Sequence, residues 1–244
     1  ALLLIGLTVL SIGVARPAAG VRVPRDRATG MMDIDVSLSM EATDVLPSRI
    51  ATAKLAGKQF VRLLPARINL GLVSFARDAN VVVPPTLNHD VVRRGIDSLK
   101  LANSTAIGEA IYTSLQAIRT FQSATAPKHG HHPPARIVLL SDGTNTWGRS
   151  VGSAVAAARN AHVQVSTIAV GTPNGTVTIR GVTQPVPADN ATLSAIAHET
   201  GGSFHTAHSE QELKSVYADI GSQIGYTTEH RDISWRFLLG GLVV

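Results

Sequence analysis

The chain has 244 residues, a formal net charge of +5 and 44% apolar residues, enough for the core of one α/β domain of roughly 200 residues with short flanks. It has no cysteine, which excludes disulfides, zinc–thiolate sites and thiol catalysis. Aromatic residues make up only 4%, which argues against a base-stacking nucleic-acid surface.

Residues 1–15 are apolar or small and carry no charge. As a helix they reach about 22 Å, so residues 1–19 are expected to be part of a transmembrane helix. Residues 20–30 are rich in Arg, Pro and Gly and read as a linker, with Arg16, Arg22, Arg25 and Arg27 as a membrane-adjacent cluster. Met31 to Val36 predicts a short buried strand. Pro47 suits the first turn of a helix that runs to about Pro65. Ile68–Phe75 and Asn80–Val83 follow as strands, then helices over Asp90–Leu99 and Ile107–Phe121. Residues 122–135 form a polar loop with His129, His131 and His132, read as solvated. Arg136–Leu140 is a buried strand, Ser150–Asn160 a helix and Val163–Val170 a strand. Residues 171–188 read as a hairpin or excursion. A helix over Thr192–Glu199, a strand over Ser203–His205 and a helix over Glu210–Ile224 complete the domain, set at residues 31–226. Residues 227–236 read as a linker, and 237–244, after Trp235 and Arg236, as the start of a second membrane helix.

Alternating strands and helices of these lengths predict a doubly wound, mostly parallel α/β sheet with helices on both faces. Ligands of such sheets sit at the carboxyl ends of the strands. Three loops at that edge carry oxygen donors: Asp35, Ser37 and Ser39; then Thr105; then Asp142. Magnesium takes six oxygens in octahedral geometry, uses one or two carboxylates and keeps several waters. Two aspartates and three hydroxyls meet that demand, and manganese or calcium could occupy similar oxygens. An open coordination position would favour an acidic group from a partner, so the site binds without doing chemistry.

The stretches DVSLSM (35–40), NSTAIGEA (103–110) and IVLLSDGTN (137–145) resemble the metal-ion-dependent adhesion site of von Willebrand factor type A domains. The resemblance covers roughly residues 30–225. It implies that Ser37, Ser39 and Thr105 ligate the metal directly, and that Asp35 and Asp142 act mainly through waters. Ala42-Thr43-Asp44-Val45-Leu46-Pro47-Ser48-Arg49, and Gln223-Ile224-Gly225-Tyr226 near the end, look like an actinobacterial branch of the Bat-type bacterial membrane proteins. That likeness implies a domain between membrane spans, on the extracytoplasmic face, acting beside MoxR-type AAA+ ATPases in envelope or stress functions. Asp33 stands where relatives usually have an apolar residue, and Ser104 where many have Gly.

Competing readings attach to several residues. Asp33-Ile34-Asp35-Val36 also resembles the haloacid dehalogenase phosphohydrolase motif, with Asp33 as nucleophile and Asp35 as general acid. That class needs a later Lys and a further acidic pair near the metal, and no convincing pair follows Asp142. Gly148-Arg149-Ser150-Val151-Gly152 matches a nucleophile elbow, but Ser150 better suits a helix cap. Glu109 reads as a first-turn helix carboxylate. Asp44 is read equally as a support of the metal loop or as a solvated turn residue.

Overall fold

The computed structural model describes residues 18–24, 28–125, 133–179 and 181–232, with 11, 14, 15 and 234 besides. Residues 26–225 form one compact unit, and residues 1–25 with 226–244 form another.

In the larger unit, strand β2 (Ala28–Asp35) is buried at every residue. A strand buried on both faces belongs in the middle of a largely parallel sheet. It lies between β3 (Ile68–Phe75) and β5 (Ala135–Ser141) and runs parallel to both. With β4 (Ala79–Thr86), β6 (Gln164–Val170) and β9 (Phe204–Ala207), the sheet has the order β4-β3-β2-β5-β6-β9. The edge strand β4 is antiparallel to β3, while β5–β6 and β6–β9 are parallel.

Alternate side chains of each strand point to opposite faces, so two apolar layers form. Met32, Ile34, Leu72 and Leu140 pack with Phe60, Ile96 and Tyr217 of α1 (Arg49–Leu63), α2 (His89–Ser98) and α6 (Glu210–Gly225). Met31, Val73, Ile137 and Leu139 pack with Ile111, Ala154 and Leu193 of α3 (Ile107–Ala124), α4 (Val151–Asn160) and α5 (Asn190–Thr200). A six-stranded, mostly parallel α/β sheet with helices on both faces is the architecture expected. Between β6 and α5 the expected excursion is a hairpin, β7 (Thr176–Ile179) and β8 (Val182–Pro185).

Helix starts follow local chemistry. The Ser48 side chain accepts from Ala51 N, that of Ser150 from Ser153 N, and that of Asp189 from Thr192 N. Ser150 is therefore a helix cap. Pro47 lies outside α1, because Ser48 takes the cap position.

The expected linkers are corrected. β1 (Ala18–Pro24) pairs antiparallel with β10 (Tyr226–Asp232), from Ala18↔Asp232 to Pro24↔Tyr226. Residues 20–24 and 227–232 are thus strand, and Ala18 and Ala19 are strand instead of the expected helix. Val21-Arg22-Val23 alternates as a strand does, but its partner lies at the far end of the chain, beyond the reach of a local pattern. β2 also begins at Ala28, ahead of the expected Met31. Among the described residues no helix is long and apolar enough to cross a membrane. Residues 1–10 and 235–244, which hold most of both apolar runs, lie outside the described residues, as do His129, His131 and His132.

Asp33 does not disturb the strand. It keeps register with Val73 on β3 and Leu139 on β5. It is 0% exposed, and its Oδ1 accepts from Ser114 Oγ of α3 at 2.5 Å, while Oδ2 is buried without a partner. Burial pushes its pKa well above the usual carboxylate range, against the hydrogen bond from Ser114.

Candidate metal centre

The chain leaves β2 towards β3 on one side, while β5 flanks β2 on the other, so the sheet order switches direction beside β2. Asp35 is the last residue of β2 and Asp142 follows the last residue of β5. Both therefore stand at the carboxyl edge beside that switch, where open α/β sheets bind ligands.

Backbone and hydroxyl groups shape the first loop. Ser37 N donates to Asp35 Oδ1 at 2.8 Å, the local turn that aspartate favours. The Ser37 and Ser39 hydroxyls lie 2.9 Å apart. Ser141 Oγ donates to Asp35 Oδ2 at 2.5 Å and accepts from Gly143 N at 3.0 Å, tying the ends of β2 and β5 together. Gly143 has φ +94°, and a side chain there would collide with the Asp189 carbonyl.

The Thr105 loop is held from both sides. Ala102 N donates to Val36 O at 2.8 Å. Thr105 N donates to Thr146 Oγ1 at 2.9 Å, and Thr105 O accepts from Thr146 N at 2.8 Å and Trp147 N at 3.1 Å. Ile107 N, at the start of α3, donates to Asn145 Oδ1 at 2.8 Å. Gly108 lets the 145–150 loop close on the first turn of α3, since a Cβ there would meet the Arg149 carbonyl. Glu109 Oε1 accepts from Arg149 N at 3.0 Å and so braces the same junction. Ser104 adopts φ 67°, a left-handed conformation that Gly takes without strain.

The two aspartates are buried close to one another. Asp35, Ser37, Thr105 and Asp142 are all at most 5% exposed. Burial pushes Asp35 up to about 7, Asp142's charge adds to this, and hydrogen bonds from Ser141 and Ser37 oppose it. Asp142 is also raised by burial, against hydrogen bonds and charge from Ser39 and Arg49. Asp142 Oδ1 is buried with no hydrogen-bond partner. Two repelling carboxylates, one with an orphaned oxygen, beside the Ser37 and Ser39 hydroxyls suit a hard divalent ion. Among the described residues there is no cluster of three or more His, Cys, Asp or Glu that could hold a metal ion.

Two residues of this site were missed from the sequence. Ser141 carries a weak signal, a hydroxyl directly before Asp142 at the end of an apolar run. Arg49 carries none. Its side chain is fully buried, with NH1 3.3 Å from Asp142 Oδ2. Its Nε and NH2 meet Asp44 Oδ1 and Oδ2 at 2.8 and 2.7 Å. Asp44 is therefore not a solvated turn residue but the ion-pair partner of Arg49. Burial works against its ionisation, but hydrogen bonds from Arg49 and Thr172 prevail and hold its pKa at about 2.

Residues 31–145 match the von Willebrand factor type A domain family. A UPF0353 protein of Mycolicibacterium paratuberculosis is 47% identical over the whole chain, which covers 74% of that protein. The chain belongs to the UPF0353 family. Solved structures place this UPF0353 domain beside two Bacteroides proteins. An aerotolerance-related membrane protein from Bacteroides fragilis superposes with a TM-score of 0.70 at 25% identity, over 81% of this chain and 98% of that one. BatB from Bacteroides thetaiotaomicron gives 0.66 at 25% identity, over 79% and 97%. The likeness to Bat-type proteins read from residues 42–49 thus extends to the fold.

Proposed function

We propose that this UPF0353 protein binds a divalent cation, magnesium by preference and manganese or calcium as substitutes, and uses it to capture an acidic residue of a protein partner. The observation that carries this reading is the buried Asp35–Asp142 pair, with an orphaned Asp142 Oδ1, beside the Ser37 and Ser39 hydroxyls. Ser37, Ser39 and Thr105 would hold the ion directly, and Asp35 and Asp142 through waters. The bound ion supplies an open position for a partner carboxylate. The chain's own residues orient that position, keep bulk water from the two aspartates and leave the ion only partly neutralised.

The protein is a binding module rather than an enzyme. As a phosphohydrolase it would need Asp33 as nucleophile, and Asp33 is fully buried inside β2, bonded to Ser114. The apolar runs at 1–15 and 237–244 support membrane anchorage, as does the Bacteroides fragilis relative described as a membrane protein. The domain then faces the extracytoplasmic side, and its partners belong to envelope or stress systems linked to MoxR-type ATPases, or are sister type A domain proteins. Capture of cross-linked partners from intact cells, with magnesium or with a chelator, tests the reading. Magnesium-dependent capture lost in Thr105→Ala is the expected result. Capture that is equal with the chelator would assign the surface to metal-independent assembly. Phosphatase turnover lost in Asp33→Asn and kept in Thr105→Ala would favour the enzyme.

A further inference from the structure

Arg49 is an unusual residue to bury beside a cation site. It opens α1, is 0% exposed and makes four hydrogen bonds to three residues. Two go to Asp44 as a bidentate pair, the strongest arrangement available to a guanidinium. This pair offsets the positive charge. The third, at 3.3 Å, reaches Asp142 Oδ2 and leaves Oδ1 as the free oxygen. The fourth donates from NH2 to the Val186 carbonyl at 2.9 Å, just past β8 in the excursion.

The excursion is fastened to the same group from other directions. Asp44 Oδ2 accepts from Thr172 N at 2.7 Å and from Thr172 Oγ1 at 2.9 Å. Asp189 N donates to the Asp142 carbonyl at 2.6 Å. Gly171 and Gly175 lie against the guanidinium so closely that a Cβ at either would collide with it. Gly171, Thr172, Gly175, Val186 and Asp189 are thus packed onto a clamp whose other jaw is Asp142.

The geometry points to Arg49, neutralised by Asp44, as a positioning residue that fixes the rotamer of Asp142 and couples cation occupancy to the order of the 171–189 excursion. This inference rests on the cation reading above. If the ion fixes Asp142, it also fixes the guanidinium and the segment around it. By linkage, an ordered excursion strengthens cation binding by the same factor. Lysine cannot replace Arg49, because a point charge does not span Asp44, Asp142 and Val186 together.

The test is manganese titration of the full chain, read with amide hydrogen exchange over residues 171–189 with and without manganese. Wild type and Asp35→Ala are compared first, then Arg49→Lys and Gly175→Ala. Gly175→Ala alters no charge and no proposed ligand. In wild type, manganese is expected to slow exchange in the excursion. In Arg49→Lys and Gly175→Ala, affinity is expected to fall by about tenfold or more, the usual consequence of losing a group that orients a ligand. The manganese-dependent slowing is expected to vanish in both, which a general loss of stability would not produce. If wild type binds and both variants keep its affinity and its slowing, the clamp is overturned while the cation site stands. If wild type does not bind, or binds as Asp35→Ala does, the cation reading falls, and this inference with it.

Discussion

Magnesium is expected to raise the thermal midpoint of the domain by about 5–10 °C near pH 8 and by little near pH 5, taking about 100-fold excess over Kd and the usual size scaling. Asp35 is the main cause. Its folded-state pKa is pushed up to about 7 by burial and by Asp142, from an ordinary 3.8. A carboxyl with a higher pKa in the folded chain binds more protons when folded, so stability falls as pH rises. That loss begins near the ordinary value and is complete above about 7. The cation binds the ionised pair and reverses the loss, whereas protons displace it at low pH. Asp33 adds to the slope in the same direction, but it is sealed in the core, so magnesium leaves its share untouched. Thermal melts of wild type and Asp35→Asn across this range check the point. Asp35→Asn is expected to show a shallower slope and no magnesium shift.

The second large effect belongs to the Asp33–Ser114 pair. Ser114→Ala alone is expected to cost about 1–3 kcal/mol, because it leaves a buried carboxyl without its one hydrogen bond. Asp33→Val combined with Ser114→Ala is expected to gain about 1–3 kcal/mol over wild type, since removing both partners of a buried polar pair abolishes the desolvation cost. Val suits a strand position whose neighbours in register are Val73 and Leu139. Urea unfolding near neutral pH reads both values. A double variant less stable than Ser114→Ala would show that Asp33 is held by interactions beyond the Ser114 bond.

The strand ends and helix starts legible in the sequence share a physical feature: their signal is local. Asp35, Ser37 and Ser39 alternate at the end of an apolar run, Thr105 stands just ahead of an amphipathic helix, and Asp142 ends another apolar run. Each marks a strand end or helix start within a few residues, and the parallel sheet then gathers them at one edge. The parts missed depend on distant partners. Arg49 meets Asp142 across 93 residues and Val186 across 137, and nothing in its own neighbourhood marks it as buried. The β1–β10 pair joins the two flanks, where Arg, Pro and Gly suggested linkers. Strand β4 runs past the expected Val83 through Pro84 and Pro85, which an edge strand tolerates and a central one does not.

The most direct measurement is equilibrium binding of magnesium and manganese to wild type and to the Asp35→Ala/Ser37→Ala double variant, followed by titration calorimetry near neutral pH. The expected result is one ion bound per wild-type chain and none in the variant, with the fold of both intact by circular dichroism. Equal affinity in the two proteins would contradict the site.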